Sequence, residues 1–189
     1  LNNFSYGAIL AVMNYGSITF KFNQSKNILD AEKHNIDYSQ VILDIDQLDN
    51  LLNPRRGYAF NIDYQNSNTI ENHFYYLNIQ AEYFKTFNHN HTLRVFGLHK
   101  KSSYNIPPTF DLISTYGGYN WAVGYDEFEL SSNDLSLLGF EYQFHYKNST
   151  TLRFIVNHLE KFNTLLFDGP EIENPTNYAF GIKIKSILG

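Results

Sequence analysis

The sequence predicts an all-β fold, an antiparallel transmembrane β-barrel, and three observations predict it. Apolar and polar residues alternate one for one over most of the chain, the segments between these runs tend to alternate short with long, and tyrosine and phenylalanine crowd the ends of the apolar rows. One-for-one alternation puts successive side chains on opposite faces of an extended strand, whereas a helix would smear both sets around its circumference.

Nine strands are expected, at 3–13, 17–23, 38–46, 57–66, 73–86, 92–101, 136–147, 151–160 and 177–187. The first is blurred by Gly7, Ala8 and Ala11. The second sets Ile18, Phe20 and Phe22 against Thr19 and Lys21. The fourth sets Tyr58, Phe60, Ile62 and Tyr64 against Ala59, Asn61, Asp63 and Gln65, and the fifth sets Tyr75, Leu77, Ile79 and Tyr83 against Asn78, Gln80 and Glu82. The seventh is the clearest, with Leu138, Phe140, Tyr142, Phe144 and Tyr146 opposite Gly139, Glu141, Gln143, His145 and Lys147. The ninth sets Tyr178, Phe180, Ile182 and Ile184 against Ala179, Gly181, Lys183 and Lys185. No helix is required; a short turn fits Ile28 to His34.

Short connections are expected at 14–17, 88–91 and 148–149, and long ones at 24–37, 102–135 and 161–176; those at 47–56 and 67–72 are assigned by parity. Short turns on one side and longer loops on the other are the habit of outer-membrane barrels. With that polarity the first and ninth strands both run toward the short-turn side. An even-stranded barrel with both termini on that side does not close from nine such strands, so either the strand count differs by one or the chain is a portion of a larger barrel. Leu1 is not an initiator and no signal peptide is visible, which agrees with a processed, trimmed or excised chain.

Composition excludes several classes. There is no cysteine, which removes disulfide scaffolds and cysteine-based zinc sites. The best apolar stretch, 4–13, falls short of the ~18 residues of a membrane helix. A net charge of -5 lacks the basic footprint of a nucleic-acid binder, and 43% hydrophobic residues argue against disorder. Charged residues are only 17% of the chain, yet its mean hydropathy is -0.37. The polarity therefore comes from Asn, Ser, Thr and Gln, as suits a wet interior wall. Tyr58, Tyr64, Tyr75, Tyr83, Tyr146 and Tyr178 stand where aromatic girdles belong. A soluble lipocalin-like ligand-binding barrel, with the apolar face inward, is the alternative.

Particular residues carry a family resemblance. Asp46-Gln47-Leu48-Asp49-Asn50 followed by Asn53-Pro54-Arg55-Arg56-Gly57-Tyr58 resembles the D-x-x-D…N-P-x-R-G turn of bacterial surface antigen barrels, the superfamily of outer-membrane assembly and two-partner-secretion proteins. Gly117-Gly118-Tyr119, then Ala122-Val123-Gly124-Tyr125, resembles the family's loop-six motif. The continuation 126–130 looks most like the branch fused to patatin-like phospholipases, and Ser186-Ile187-Leu188-Gly189 resembles its T-x-L-G-P turn. The resemblance implies a sixteen-stranded barrel of which this chain supplies strands six to fourteen. It makes Asn53, Pro54, Arg56, Gly57, Gly117, Gly118, Gly124 and Tyr125 structural motif residues. There are departures: Val123 stands where the family has the loop-six arginine that reaches the barrel wall, and Phe154-Ile155-Val156-Asn157-His158 lacks the Asp and Gly of F-x-D-x-G.

No catalytic constellation emerges. The nucleophile motif G-x-S-x-G of patatin-like hydrolases is absent, and Asp168-Gly169-Pro170 reads as turn chemistry. His89-Asn90-His91 lacks a third ligand, so no metal and no cofactor is expected; His73, His99, His145 and His158 are scattered singly on strands. Asp44, Asp46 and Asp49 with Arg55 and Arg56 read as a turn with local ion pairing. Glu141, Lys183 and Lys185 share the polar face, which suggests a pairing of Glu141 with one lysine or a hold on loop 102–135. That loop, with Pro107-Pro108, Gly117-Gly118 and Trp121, is expected to fold into the barrel or to cap it.

Residues 1–189 are thus expected to form a single partial barrel domain in the bacterial outer membrane. The resemblance implies a translocator or anchor that displays or secretes an attached N-terminal, patatin-like phospholipase domain. This segment is not itself expected to be an enzyme, although its parent would be a lipid acyl hydrolase. The implied partners are outer-membrane lipid, the attached domain or passenger, and the outer-membrane assembly machinery, with no nucleic acid. An assembly or insertase barrel is the alternative within the family.

Overall fold

The computed structural model describes residues 4–12, 16–29, 32–50, 53–68, 73–103, 114–116, 130–132, 134–146, 150–160 and 176–184. The strands are β1 (Phe4–Val12), β2 (Gly16–Leu29), β3 (Glu32–Asp46), β4 (Gly57–Asn68), β5 (His73–Asn88), β6 (His91–Ser102), β7 (Ser114–Tyr116), β8 (Leu130–Ser132), β9 (Asp134–Tyr146), β10 (Thr150–Glu160) and β11 (Thr176–Ile184). Nine of them form one antiparallel sheet in the order β1-β2-β3-β4-β5-β6-β9-β10-β11, while β7 and β8 pair separately. No helix occurs among the described residues. Neighbours in sequence are neighbours in the sheet, as short connections favour. The edges of the sheet are β1 and β11.

One expectation is corrected here. Of the long loop expected at 24–37, with a turn over Ile28 to His34, residues 24–29 and 32–37 are strand, and residues 30 and 31 lie outside the described residues. The β2–β3 ladder runs from Gly16↔Ile45 to Leu29↔Glu32. The polar residues there have no apolar row to alternate with, but their main-chain groups still pair across the hairpin. Within 102–135, β7 pairs with β8; of the loop expected to fold into the barrel or cap it, residues 104–113 and 117–129 lie outside the described residues.

The alternation resolves into two unlike faces. On β9, Leu138, Phe140, Tyr142 and Tyr146 are 54%, 50%, 42% and 54% exposed, while Glu141 is 0% and His145 2% exposed. Cross-strand register carries the same facing sideways: Val95↔Phe140, Phe140↔Val156 and Val156↔Tyr178 put one apolar row across four strands. Tyr64, Tyr83, Phe154, Phe180 and Ile182 are likewise exposed. A globular sheet packed on a core has the opposite arrangement.

The other face, named here for Glu141, is itself divided. Toward the β6–β9 crossover it carries an apolar cluster of Phe96, Leu98, Leu135, Leu137, Ile155 and Leu159. Full burial of each such side chain contributes about 1.5–3 kcal/mol. Toward the β5–β6 and β9–β10 turns it carries buried polar groups: Thr92, Arg94, Glu141, Gln143, His145, Thr151 and Arg153. Buried charge is tolerated only where it is paired and hydrogen-bonded.

Candidate functional site

The polar half of the Glu141 face is built as two cross-strand ladders. Arg94 and Glu141 stand directly opposite each other on β6 and β9, with Arg94 Nη1 3.1 Å from Glu141 Oε2. Arg94 reaches back diagonally to Glu82 on β5, Nη2 lying 2.8 Å and Nε 3.0 Å from Oε2. From β10, Arg153 engages both oxygens of Glu141, through Nε to Oε1 and through Nη2 to Oε2 at 2.7 Å. This fork-on-fork geometry is the strong form of the pair. Gln143 Nε2 donates to Glu141 Oε1 at 2.8 Å. Two guanidinium groups thus meet two carboxylates across four strands. The Arg94 guanidinium also lies 4.2 Å from the Phe96 ring centroid and 5.5 Å from that of Phe84, a cation–π arrangement that suits its low exposure.

The second ladder consists of hydroxyl groups and one imidazole. Thr86 Oγ1 donates to the carbonyl of Arg55 at 2.8 Å. A threonine has one hydroxyl proton, so Thr92 donates to Thr86 across 3.1 Å. Thr92 then accepts from His145 Nε2, also at 3.1 Å. The direction of the chain therefore places a proton on Nε2 of His145, while Nδ1 faces Thr151 Oγ1 at 3.1 Å. The ladder ends in the turn between β3 and β4.

That turn holds the residues singled out before Gly57. Gln47 N–H donates to the Tyr58 carbonyl at 2.9 Å and Asp49 N–H to the Arg56 carbonyl at 3.1 Å. Asp49 Oδ1 accepts the main-chain N–H of Arg55 (2.8 Å) and of Arg56 (3.1 Å). Asp46 Oδ1 accepts Leu48 N–H at 2.9 Å, and Asn50 Oδ1 accepts Asn53 N–H at 3.1 Å. The expected ion pairing is corrected: Asp46 and Asp49 cap main-chain amides, Asp44 Oδ1 accepts from Asn61 Nδ2 at 3.4 Å, and Arg55 Nη1 donates to the His89 carbonyl at 3.3 Å. Pro54 brings no N–H into this crowded bend. Gly57 has φ 110°, and a Cβ there would collide with the Gln47 carbonyl oxygen, so only glycine fits.

Of the expected partners of Glu141, Lys185 and most of loop 102–135 lie outside the described residues. Lys183 lies in register with Thr151 on the same face but at the exposed edge strand. Arg94 and Arg153 hold Glu141 instead, because direct and diagonal cross-strand neighbours are nearest. Both arginines were missed, since β6 and β10 carry apolar residues on both faces and alternation assigns no facing there. Lys185, Gly117, Gly118, Gly124, Tyr125, Val123 and Trp121 lie outside the described residues. Asn157, in the stretch that departs from F-x-D-x-G, is buried on the Glu141 face.

Of the scattered histidines, His99 engages Ser136 Oγ at 2.8 Å and His158 engages Thr176 Oγ1 at 2.8 Å, while His91 Nδ1 of the His89-Asn90-His91 turn meets the Tyr142 hydroxyl at 2.5 Å. Among the described residues no group of three His, Asp or Glu side chains is placed to hold a metal ion. Chemically, the ladders cross-brace strands by charge and hydroxyl contacts. No family model matches the chain, and no curated protein matches it either.

Proposed function

We propose that this chain is a wall segment of an outer-membrane β-barrel of the bacterial surface antigen type, a translocator or anchor for an attached N-terminal domain of the patatin-like phospholipase class. The reading is supported above all by the inverted burial: Phe140 is half exposed beside a Glu141 that is fully buried. In lipid the Tyr142 face contacts acyl chains, and the Glu141 face lines the barrel interior. The apolar row from Leu138 to Tyr146 spans roughly 27 Å along the strand at about 3.4 Å per residue. At a tilt of about 40° the row rises about 21 Å along the membrane normal, most of the ~25 Å apolar band of such barrels. Every main-chain polar group inside lipid has to be paired, which a hydrogen-bonded sheet closed into a barrel achieves.

In this reading the N-P-x-R-G turn lies on the periplasmic side, next to the attached domain, and the segment itself contributes anchoring and passage rather than catalysis. The deciding experiment is fractionation of the full-length protein followed by electrophoresis with and without boiling. An outer-membrane, detergent-dependent, heat-modifiable species is the expected result. A detergent-free soluble monomer overturns the reading in favour of a soluble barrel.

A further inference from the structure

The two rims of the Tyr142 face differ in charge. At the rim toward the β6–β9 crossover, Lys101 is paired with Asp134 at 3.3 Å, and His99 with Ser136. At the opposite rim, near the β3–β4 and β5–β6 turns, cations lack such partners. Lys85 lies on the Tyr142 face, in register with Leu93 and so in a row with Tyr142. Its Nζ reaches toward the turn, 5.6 Å from the Phe87 ring centroid. Arg55 and Arg56 stand in the adjoining turn, joined to the other hairpin by the Arg55–His89 hydrogen bond. Among the described residues no carboxylate forms an ion pair with Lys85, Arg55 or Arg56. The nearby acids are turned elsewhere: Asp49 Oδ1 accepts two main-chain amides, and Asp46 sits on the Glu141 face.

We propose that this rim is a docking surface for anionic phospholipid headgroups, with Lys85, Arg55 and Arg56 meeting the phosphate layer. The proposal rests on the membrane reading above and adds a leaflet preference to it. Charge complementarity commits it to anionic lipid. The aliphatic stem of Lys85 lies along the apolar face while its ammonium extends toward the headgroups, the habit of lysine at a bilayer interface. Tyr58, Tyr83 and Phe87, all exposed, supply the accompanying aromatic belt. A juxtamembrane cation is worth about fivefold in binding to an anionic surface at moderate salt, and screening weakens it.

The test uses the full-length protein and two kinds of vesicle, phosphatidylcholine alone and phosphatidylcholine containing phosphatidylglycerol. Flotation reports insertion, and native mass spectrometry of protein taken from the mixed vesicles reports which lipid is retained. Preferential retention of phosphatidylglycerol is expected, reduced about fivefold for each cation removed in Lys85→Gln and Arg56→Gln. Lys85→Arg should keep the preference, as should Lys101→Gln at the other rim, and each variant is checked for heat-modifiable folding. Flotation with equal retention of both lipids, or a preference untouched by Lys85→Gln and Arg56→Gln, overturns this proposal alone. Failure to float with either vesicle overturns the membrane reading and this proposal with it.

Discussion

Phe96 and Gly139 face each other across the β6–β9 seam, and the ring of the first fills the space that a side chain on the second would need. The same ring lies beneath the Arg94 guanidinium, so the glycine, the aromatic ring and the ion pair form one stack. Gly139→Val should therefore destabilise the sheet by about 1–3 kcal/mol through overpacking. Combining it with Phe96→Leu should recover part of that loss. Urea unfolding in detergent micelles measures both; an additive double variant would mean that the two positions do not share the space.

Glu141 is the joint of the charge ladder, and its removal should cost more than that of either arginine. Glu141→Gln leaves two buried guanidinium groups without their common carboxylate, a loss of about 3–5 kcal/mol. A double-mutant cycle of Glu141→Gln with Arg153→Gln should give a coupling between about 0.5 and 3 kcal/mol. The parallel cycle with Lys183→Gln should be near zero, because Lys183 stands on the edge strand in register with Thr151, whereas Glu141 is in register with Ile155. Equal couplings in the two cycles would contradict the ladder.

Gly57 is confined by both its backbone and its neighbour. At φ 110° an L side chain is strained, and the Gln47 carbonyl occupies the space of its Cβ. Gly57→Ala should cost of order 1–3 kcal/mol, and Asp49→Ala a comparable amount by leaving the Arg55 and Arg56 amides without their acceptor. Thermal unfolding of the two single variants and of their combination tests this. The combined loss should fall short of the sum, since both act on one turn.

The strand ladder was legible because each row of alternating residues belongs to one strand and needs no knowledge of its partners. The same alternation sets Glu141 on the face opposite the Phe140 row. Its partners were not legible: Arg94 lies 47 residues away, and its strand mixes Leu93 and Val95 with Phe96 and Leu98, so period two gives no facing. The outer ends of β2 and β3 are not legible as strand because 23–27 and 32–35 contain no apolar residue to set a period, although their main chains pair. The acids before Gly57 suggested ion pairs because charge is visible in a sequence, whereas an unpaired amide waiting for a cap is not. A polar rung is recognised only once register brings its members together.

Depth along the Tyr142 face gives the sharpest quantitative prediction. Phe140 lies between Val95 and Val156 in register, away from either polar rim, whereas Tyr146 is the last residue of β9. If this face meets lipid, an arginine at the first position sits near the bilayer midplane and one at the second near the interface. Phe140→Arg should then cost about 2–4 kcal/mol and Tyr146→Arg about 0–1 kcal/mol, read from urea unfolding in vesicles. A soluble sheet with this face in water predicts a small effect at both positions, because each side chain is already half exposed. A buried dry core predicts a large loss at both. Only a graded response, with the cost falling toward the turn, fits a wall that crosses a membrane.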